Sequence, residues 1–339
     1  MSWLLLLVAA VLIVLLWLIK KVHFDHKDCL LPQRLDHKRV VVTGCNQGIG
    51  YETVGELARR GACVIMACRD LRKCESARRT LLERFGKKAP HSEDSKGLNL
   101  TPITEEQLIC EQLDLASARS VHAFAERMIH QGHPIDILIN NAGIDFPRPE
   151  FGADGIELHV RVNHLGHFLL TNLLKPILMA SNAPRIIVLS SLLHRLAEVN
   201  VNDLCRPLVG SPYANSKLLN VIHARQLMER WTDHADERNS GCHVLAVSVH
   251  PGLVMTQIFQ HSPFRLWLVH KCLSWLAKTP WQGSQTVVYC SLANNLVPGA
   301  YYAECRVTKT NPQALDGKVG QAVWDASEQL VKRWEASEL

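Results

Sequence analysis

Apolar positions fall in two rhythms along this chain. Short β-branched runs at 39–43, 63–68, 108–115, 135–139, 185–190, 243–249 and 300–303 read as strands of a buried parallel sheet. Between them apolar residues recur at helical spacing, from the 44–50 loop to about residue 60, then over 71–85, 117–131, 154–180 and 211–231. In the first of these helices Val54, Leu57 and Ala58 share one face, and Gly61 ends it. Strand and helix alternate throughout. That predicts an α/β fold, a Rossmann-type doubly wound parallel sheet in a single domain over residues 38–339. Residues 86–106 interrupt the rhythm as a polar surface insertion.

The N-terminus breaks the pattern. Residues 3–19 form an unbroken apolar run of 17. As a helix this spans roughly 25 Å, near the thinner endoplasmic reticulum bilayer at about 27 Å. A cleaved signal peptide is the competing reading, but it carries a positive segment before its apolar core. Nothing basic precedes this run, and Lys20 and Lys21 close it. The expectation is a transmembrane helix within residues 1–20 and a linker over 21–37. Lys20, Lys21 and Lys27 put the catalytic body in the cytosol, with the endoplasmic reticulum as the expected membrane. Asn99-Leu100-Thr101 is a glycosylation sequon that a cytosolic body would leave unmodified.

Composition narrows the function classes. With 339 residues the chain buries a core without metal or disulfide staples. Its 37 basic and 32 acidic residues leave a net charge of +5, spread along the chain, with no nucleic-acid footprint. The 17 histidines show no metal-ligand spacing, so no metal is expected, and His164 and His167 read as structural. The 11 cysteines include no CxxC pair, and Cys63 and Cys68 fall inside a strand. They read as small buried apolar groups in a reducing compartment.

The chemistry-bearing residues follow strands. Thr43-Gly44-Cys45-Asn46-Gln47-Gly48-Ile49-Gly50 lies between a strand and a helix, the context that makes a glycine pattern a dinucleotide cradle. Gly44 allows the turn, Gly48 lets backbone approach phosphate, and Gly50 lets the helix pack on the sheet. At the end of the second strand stands Arg69, suited to the 2′-phosphate of NADP, with Arg72 and Lys73 close by. Arg69 as a plain solvated charge is the alternative. Asp114 is placed to accept from an adenine amine or to sit beside a helix N-cap. Tyr213 and Lys217 are four apart on one helix face. A nearby ammonium lowers the phenol pKa from about 10, so that Tyr213 acts as the acid/base for hydride transfer. Ser191 ends another strand and can hold the substrate oxygen.

In combination these motifs resemble the short-chain dehydrogenase/reductase family, from about residue 39 to the C-terminus. The resemblance rests on the glycine loop, Asn140-Asn141-Ala142-Gly143, Asn163, Ser191, Tyr213, Lys217, and Pro251-Gly252 with Thr256. It implies that Asn141, Ala142 and Gly143 support the sheet beside the adenosine, and that Asn163 holds a proton-relay water through Lys217. It implies that Lys217 binds ribose, that Pro251, Gly252 and Thr256 grip the nicotinamide carboxamide, and that the second serine of the Ser190-Ser191 pair acts. Finer similarity, in Ala67-Cys68-Arg69-Asp70, Asn163-His-Leu-Gly-His-Phe168 and Val249-His250-Pro251-Gly252, is to the membrane-anchored retinol dehydrogenase branch and its polyprenol dehydrogenase-like relatives. That implies NADPH and a small apolar, lipid-like carbonyl or alcohol. A steroid or other carbonyl reductase, or a non-catalytic cofactor-binding scaffold, is the alternative. Residues 264–277 are apolar enough for a substrate lid, a bilayer contact or a core helix. The oligomeric state is left open, a homodimer included.

Overall fold

The computed structural model describes residues 27–87, 98–146, 148–232, 244–254 and 277–338. Its strands are β1 Arg39–Thr43, β2 Cys63–Cys68, β3 Leu108–Gln112, β4 Ile137–Asn140, β5 Arg185–Leu189, β6 Leu245–His250, β7 Tyr301–Ala303 and β8 Arg306–Val307. They form one sheet in the order β3-β2-β1-β4-β5-β6-β7-β8. Pairing is parallel up to β7, and only β8 returns antiparallel, with Tyr302 opposite Val307.

The helices are α1 Gly48–Arg59, α2 Leu71–Phe85, α3 Ala118–His130, α4 Gly166–Leu173, α5 Lys175–Met179, α6 Pro212–Thr232, α7 Pro280–Leu292 and α8 Gly317–Glu338. Successive strand residues point to opposite faces, so the sheet separates two cores. Val41 and Ile65 pack with α3, α4, α6 and α8 on one face. Val40, Val42, Val64 and Met66 pack with α1, α2 and α7 on the other. The strands are apolar on both sides because both sides are covered.

Four expectations change. The helix read over 154–180 is a π-helical turn, Val160–Leu165, followed by α4 and the short α5. Pro176 lacks the N–H that would continue α4 through Leu174. The 86–106 insertion is not wholly polar surface, since Ile103 is buried and pairs with Gly86. α7 and α8 lie where the apolar pattern was not read as helix. Finally, Cys74 on α2 and Cys110 on β3 form a disulfide, with Cα atoms 6.0 Å apart, against the reading of a chain with reduced cysteines only. Met66 pairs with Cys110, and the Cys74 sulfur lies 3.4 Å from Met66 O, which brings the two sulfurs together beside β2.

Residues 1–26, including the expected membrane helix, lie outside the described residues. So do Thr256 and the stretch 264–276. Among the described residues no helix is long and apolar enough to cross a membrane, and no cluster of His, Cys, Asp and Glu is arranged for a metal ion.

Candidate active site

The strand order reverses between β1 and β4, and a cleft of about 380 Å³ opens there at the carboxyl ends of the strands. This is the expected ligand position in a doubly wound sheet. β1 delivers Gly44 at φ +62, and a Cβ there would meet Ala142 at 2.7 Å. A Cβ at Gly50 would lie 2.5 Å from Asn141 Nδ2. The glycine loop and the Asn141–Gly143 segment therefore abut, and Asn141 Nδ2 donates to Thr43 O at 2.7 Å and Gly44 O at 3.1 Å. Gly44, Asn46, Gln47, Gly48, Ile49 and Gly50 all border the cleft, as do Asn141, Ala142 and Gly143. Gln47, the residue before α1, makes no side-chain cap, and no acid sits in the first turn. The positive end of α1 is thus left for an anion, and a pyrophosphate fits it.

At the far end Arg69 is exposed and borders the cleft. Its neighbour Asp70 caps α2, accepting from Arg72 N at 2.9 Å and Lys73 N at 3.2 Å. The backbone donors hold its carboxyl below the usual range. The acid that would compete for a ribose hydroxyl is therefore occupied. Asp114 borders the cleft and also accepts from Ala116 N at 2.9 Å, so it shapes the turn before α3 as well.

Tyr213 and Lys217 lie one turn apart at the start of α6, both on the cleft wall. Lys217 Nζ is 5.5 Å from the Tyr213 ring centre and donates to Leu189 O at 3.4 Å. Burial lowers the Lys217 pKa to about 8, with the Asp145 carboxylate acting the other way. Ser190 borders the cleft and donates to Lys217 O at 2.7 Å, whereas the Ser191 side chain accepts from Leu193 N at 3.3 Å and acts to lower the Tyr213 pKa. The Tyr213 phenol itself differs from expectation. Burial first, and then Asp145, push its pKa up rather than down, so without cofactor it keeps its proton.

Asn163 is fully buried in the π-helical turn. Its Oδ1 accepts from Ile144 N at 2.8 Å, and its Nδ2 donates to Ile144 O and Ser216 Oγ at 3.0 Å each. The side chain is engaged in holding protein groups. Pro251 borders the cleft, and Gly252 stands against the Lys278 side chain, itself paired with Glu304.

The profile of the short chain dehydrogenase family matches residues 38–95 and 92–264. Retinol dehydrogenase 12 of Bos taurus is 39% identical over 313 residues, which cover 91% of this chain and 90% of that protein. Retinol dehydrogenase 14 of Mus musculus is 37% identical over 308 residues, with 88% and 87% covered. The chain belongs to the short-chain dehydrogenase/reductase family. Within it the chain is retinol dehydrogenase-like, an oxidoreductase acting on CH–OH groups. Among solved structures, an uncharacterized protein from Mycobacterium Paratuberculosis aligns with a TM-score of 0.67 and 30% identity, over 91% of this chain and 98% of that one.

Buried side chains whose bonds no sequence pattern shows hold the segments around the cleft of this dehydrogenase. Thr43 Oγ1 accepts from Asn141 N at 2.9 Å and Ala142 N at 3.0 Å, and lies 2.9 Å from His167 Nε2 and 3.4 Å from Ile139 O, the acceptors open to its own hydrogen. His167 Nδ1–H then donates to Asn163 O at 3.0 Å. His194 Nδ1–H donates to Ser191 O at 2.6 Å, and its Nε2 accepts from Thr310 Oγ1 at 2.9 Å. His164 is structural, as read, bonded to Ser327 Oγ at 2.8 Å under α8. Leu192, Leu193 and Leu196, in the 3-10 turn after Ser191, are exposed.

Proposed function

We propose that the chain is an NADPH-dependent reductase of apolar, lipid-like aldehydes or ketones, held at a membrane by residues 3–19. The observation that carries the reading is the pair Tyr213 and Lys217, one turn apart on the wall of the cleft that the glycine loop borders. Bound NADPH would supply the hydride for the carbonyl carbon. Ser191 would orient the carbonyl oxygen, and Tyr213 would deliver its proton to that oxygen. Lys217 would hold the ribose and stabilise the phenolate left behind. The phenol's raised pKa favours the acid role, which is the reductive direction. Arg69, beside the occupied Asp70, supports NADPH over NADH. The relatives' names, retinol dehydrogenases, support a lipid alcohol–carbonyl pair.

The test is cofactor oxidation by the detergent-solubilised full chain, with NADPH and NADH offered separately against retinal, long-chain aldehydes, polyprenal and ketosteroids. NADPH oxidation with one lipid carbonyl, lost in Tyr213→Phe, is the expected result. Undiminished turnover by Tyr213→Phe would sink the mechanism.

We place the body on the cytosolic side, following Lys20 and Lys21. The Cys74–Cys110 disulfide points the other way, to oxidising surroundings. Asn99 is exposed and decides between them. A glycosidase-sensitive size shift at Asn99 overturns the cytosolic placement.

A further inference from the structure

Beside Arg69 the cleft is bordered by Leu113, Asp114, Leu115 and Ala116, the turn that leads from β3 into α3. The entry of this turn is tied to β2, where Leu113 N–H donates to Cys68 O at 2.9 Å. Within it Ala116 N–H donates to Asp114 Oδ1 at 2.9 Å and Ser117 N–H to Asp114 O at 3.2 Å. Its exit is Ser117, the N-cap of α3, whose side chain accepts from Ser120 N.

A helix leaves its first N–H groups without partners inside the helix, and α3 carries no acid of its own in the first turn. The acceptor comes from α8, 219 residues further along the chain. Glu338 Oε2 accepts from the Ser117 hydroxyl at 2.9 Å and from Arg119 N at 3.4 Å. Its Oε1 accepts from Trp334 Nε1 at 2.7 Å, and Trp334 is fully buried. The Arg119 guanidinium in turn donates to the Glu338 carbonyl oxygen. One turn on along α3 and one turn back along α8, His122 Nε2 lies 2.7 Å from Glu335 Oε1. The carboxylate that closes the turn is therefore itself oriented by a core residue, as a supporting group must be if it is to hold a site in place.

We propose that Glu338 is a positioning residue for the cofactor: its carboxylate closes the N-terminus of α3 and so fixes the turn of Asp114, Leu115 and Ala116 in the place where it receives the adenine. This rests on the reading of the cleft as a dinucleotide site, and deepens it. A negative charge at a helix N-terminus is favoured by the helix dipole as well as by the bonds it accepts. Without it the Ser117 hydroxyl and the Arg119 N–H lose that acceptor. The turn then keeps its inner tie to Cys68 and loses its outer one to α8. Such a change reaches the ligand although Glu338 itself does not border the cleft.

The test uses the detergent-solubilised full chain and two probes, NADPH and adenosine 2′,5′-bisphosphate, the second displacing the first in a fluorescence titration. In Glu338→Ala both dissociation constants should rise by the same factor, roughly three- to thirtyfold. Glu338→Gln, close in shape and keeping one oxygen acceptor, should show a smaller rise, and carries the test if Glu338→Ala does not fold. His122→Ala is the control for plain destabilisation. It cuts the neighbouring tie between the same two helices, so it should lower the melting temperature and leave both constants alone. Unchanged constants in the Glu338 variants, or an equal rise in His122→Ala, overturn the proposal. So does a rise for NADPH with none for the bisphosphate, which would place the effect away from the adenosine. A wild type that binds neither probe sinks the dinucleotide reading and this proposal with it. A wild type that binds both probes and reduces no carbonyl counts against the reductase reading alone.

Discussion

His194 donates its Nδ1–H to the carbonyl oxygen of Ser191 at 2.6 Å while Nε2 receives the Thr310 hydroxyl. Ser191, proposed to orient the substrate oxygen, is thus fixed from behind by a residue three positions on. Losing a buried hydrogen bond of this kind costs about 1–3 kcal/mol. His194→Ala should lower kcat/KM by about tenfold or more through a displaced Ser191, with NADPH affinity little changed. His194→Asn, whose amide N–H reaches toward the same carbonyl, should recover part of the loss. Stopped-flow kinetics beside an NADPH titration check this, and equal loss of both quantities would contradict a positioning role.

Arg69 is the exposed cation at the adenosine end, next to an aspartate whose carboxylate caps a helix. A charge-assisted hydrogen bond is worth about 1.5–3 kcal/mol, or roughly ten- to hundredfold in affinity. Arg69→Ala should weaken NADPH by that factor and NADH by less than about threefold, read by fluorescence titration. Equal weakening of both cofactors would show that Arg69 does not read the 2′-phosphate.

Lys217 has its pKa lowered to about 8 by burial. The pH profile of kcat/KM reports groups of the free enzyme. Reductive kcat/KM should therefore fall as pH rises past about 8, where Lys217 loses its charge. Lys217→Arg keeps its charge and should move that alkaline limb upward, even with a lower plateau. A wild-type profile that stays flat well above this pH would contradict the assignment.

Burial also governs acid stability. The folded-state pKa values of His164, His167, His194 and His250 are lowered to about 3, 4, 4 and 3, and that of His223 is lowered too. An unfolded histidine titrates near 6.5, so below that pH the unfolded chain binds more protons than the folded one. Stability is intact above about 6.5 and falls as pH drops through the window from there to about 4. Each such histidine contributes about 1.4 kcal/mol per pH unit within that window. Urea midpoints measured from about pH 7.5 to about pH 5 should fall steeply. His223→Phe, among the rings of His164, Phe168 and Trp324, should flatten the slope. A midpoint independent of pH would contradict the burial argument.

The sheet was legible because both its faces are covered. Continuous β-branched runs such as Val40–Val42 carry that signal without help from distant residues. That the glycine loop, Tyr213 and Lys217 share one cleft was legible because each follows a strand at the same edge of the sheet. What escaped depends on the third dimension. Nothing in the sequence brings Cys74 to Cys110 except the pairing of Met66 with Cys110 in the folded sheet. His194 and His167 act through backbone carbonyls, which leave no sequence pattern. The tyrosine's direction of shift was misread because a nearby lysine is visible in the sequence, whereas burial and the Asp145 field are not. Pro176, by contrast, was visible and should have divided the 154–180 helix.

The run of bonds from Asn141 and Ala142 through Thr43 and His167 to Asn163 admits a single polarity. The Asn163 carbonyl can only accept, so His167 keeps its proton on Nδ1 and presents a bare Nε2. The threonine hydroxyl then donates to that nitrogen at 2.9 Å, with Ile139 O a more distant acceptor at 3.4 Å. A chain with one permitted direction has no mirror arrangement to flicker into. Serine at position 43 would preserve this polarity, whereas valine, though the same size, would leave the Ala142 N–H and an imidazole nitrogen stranded. The cradle for the phosphates and the turn that fixes the substrate wall consequently share one reference frame, set by the order of hydrogen bonds before any ligand arrives.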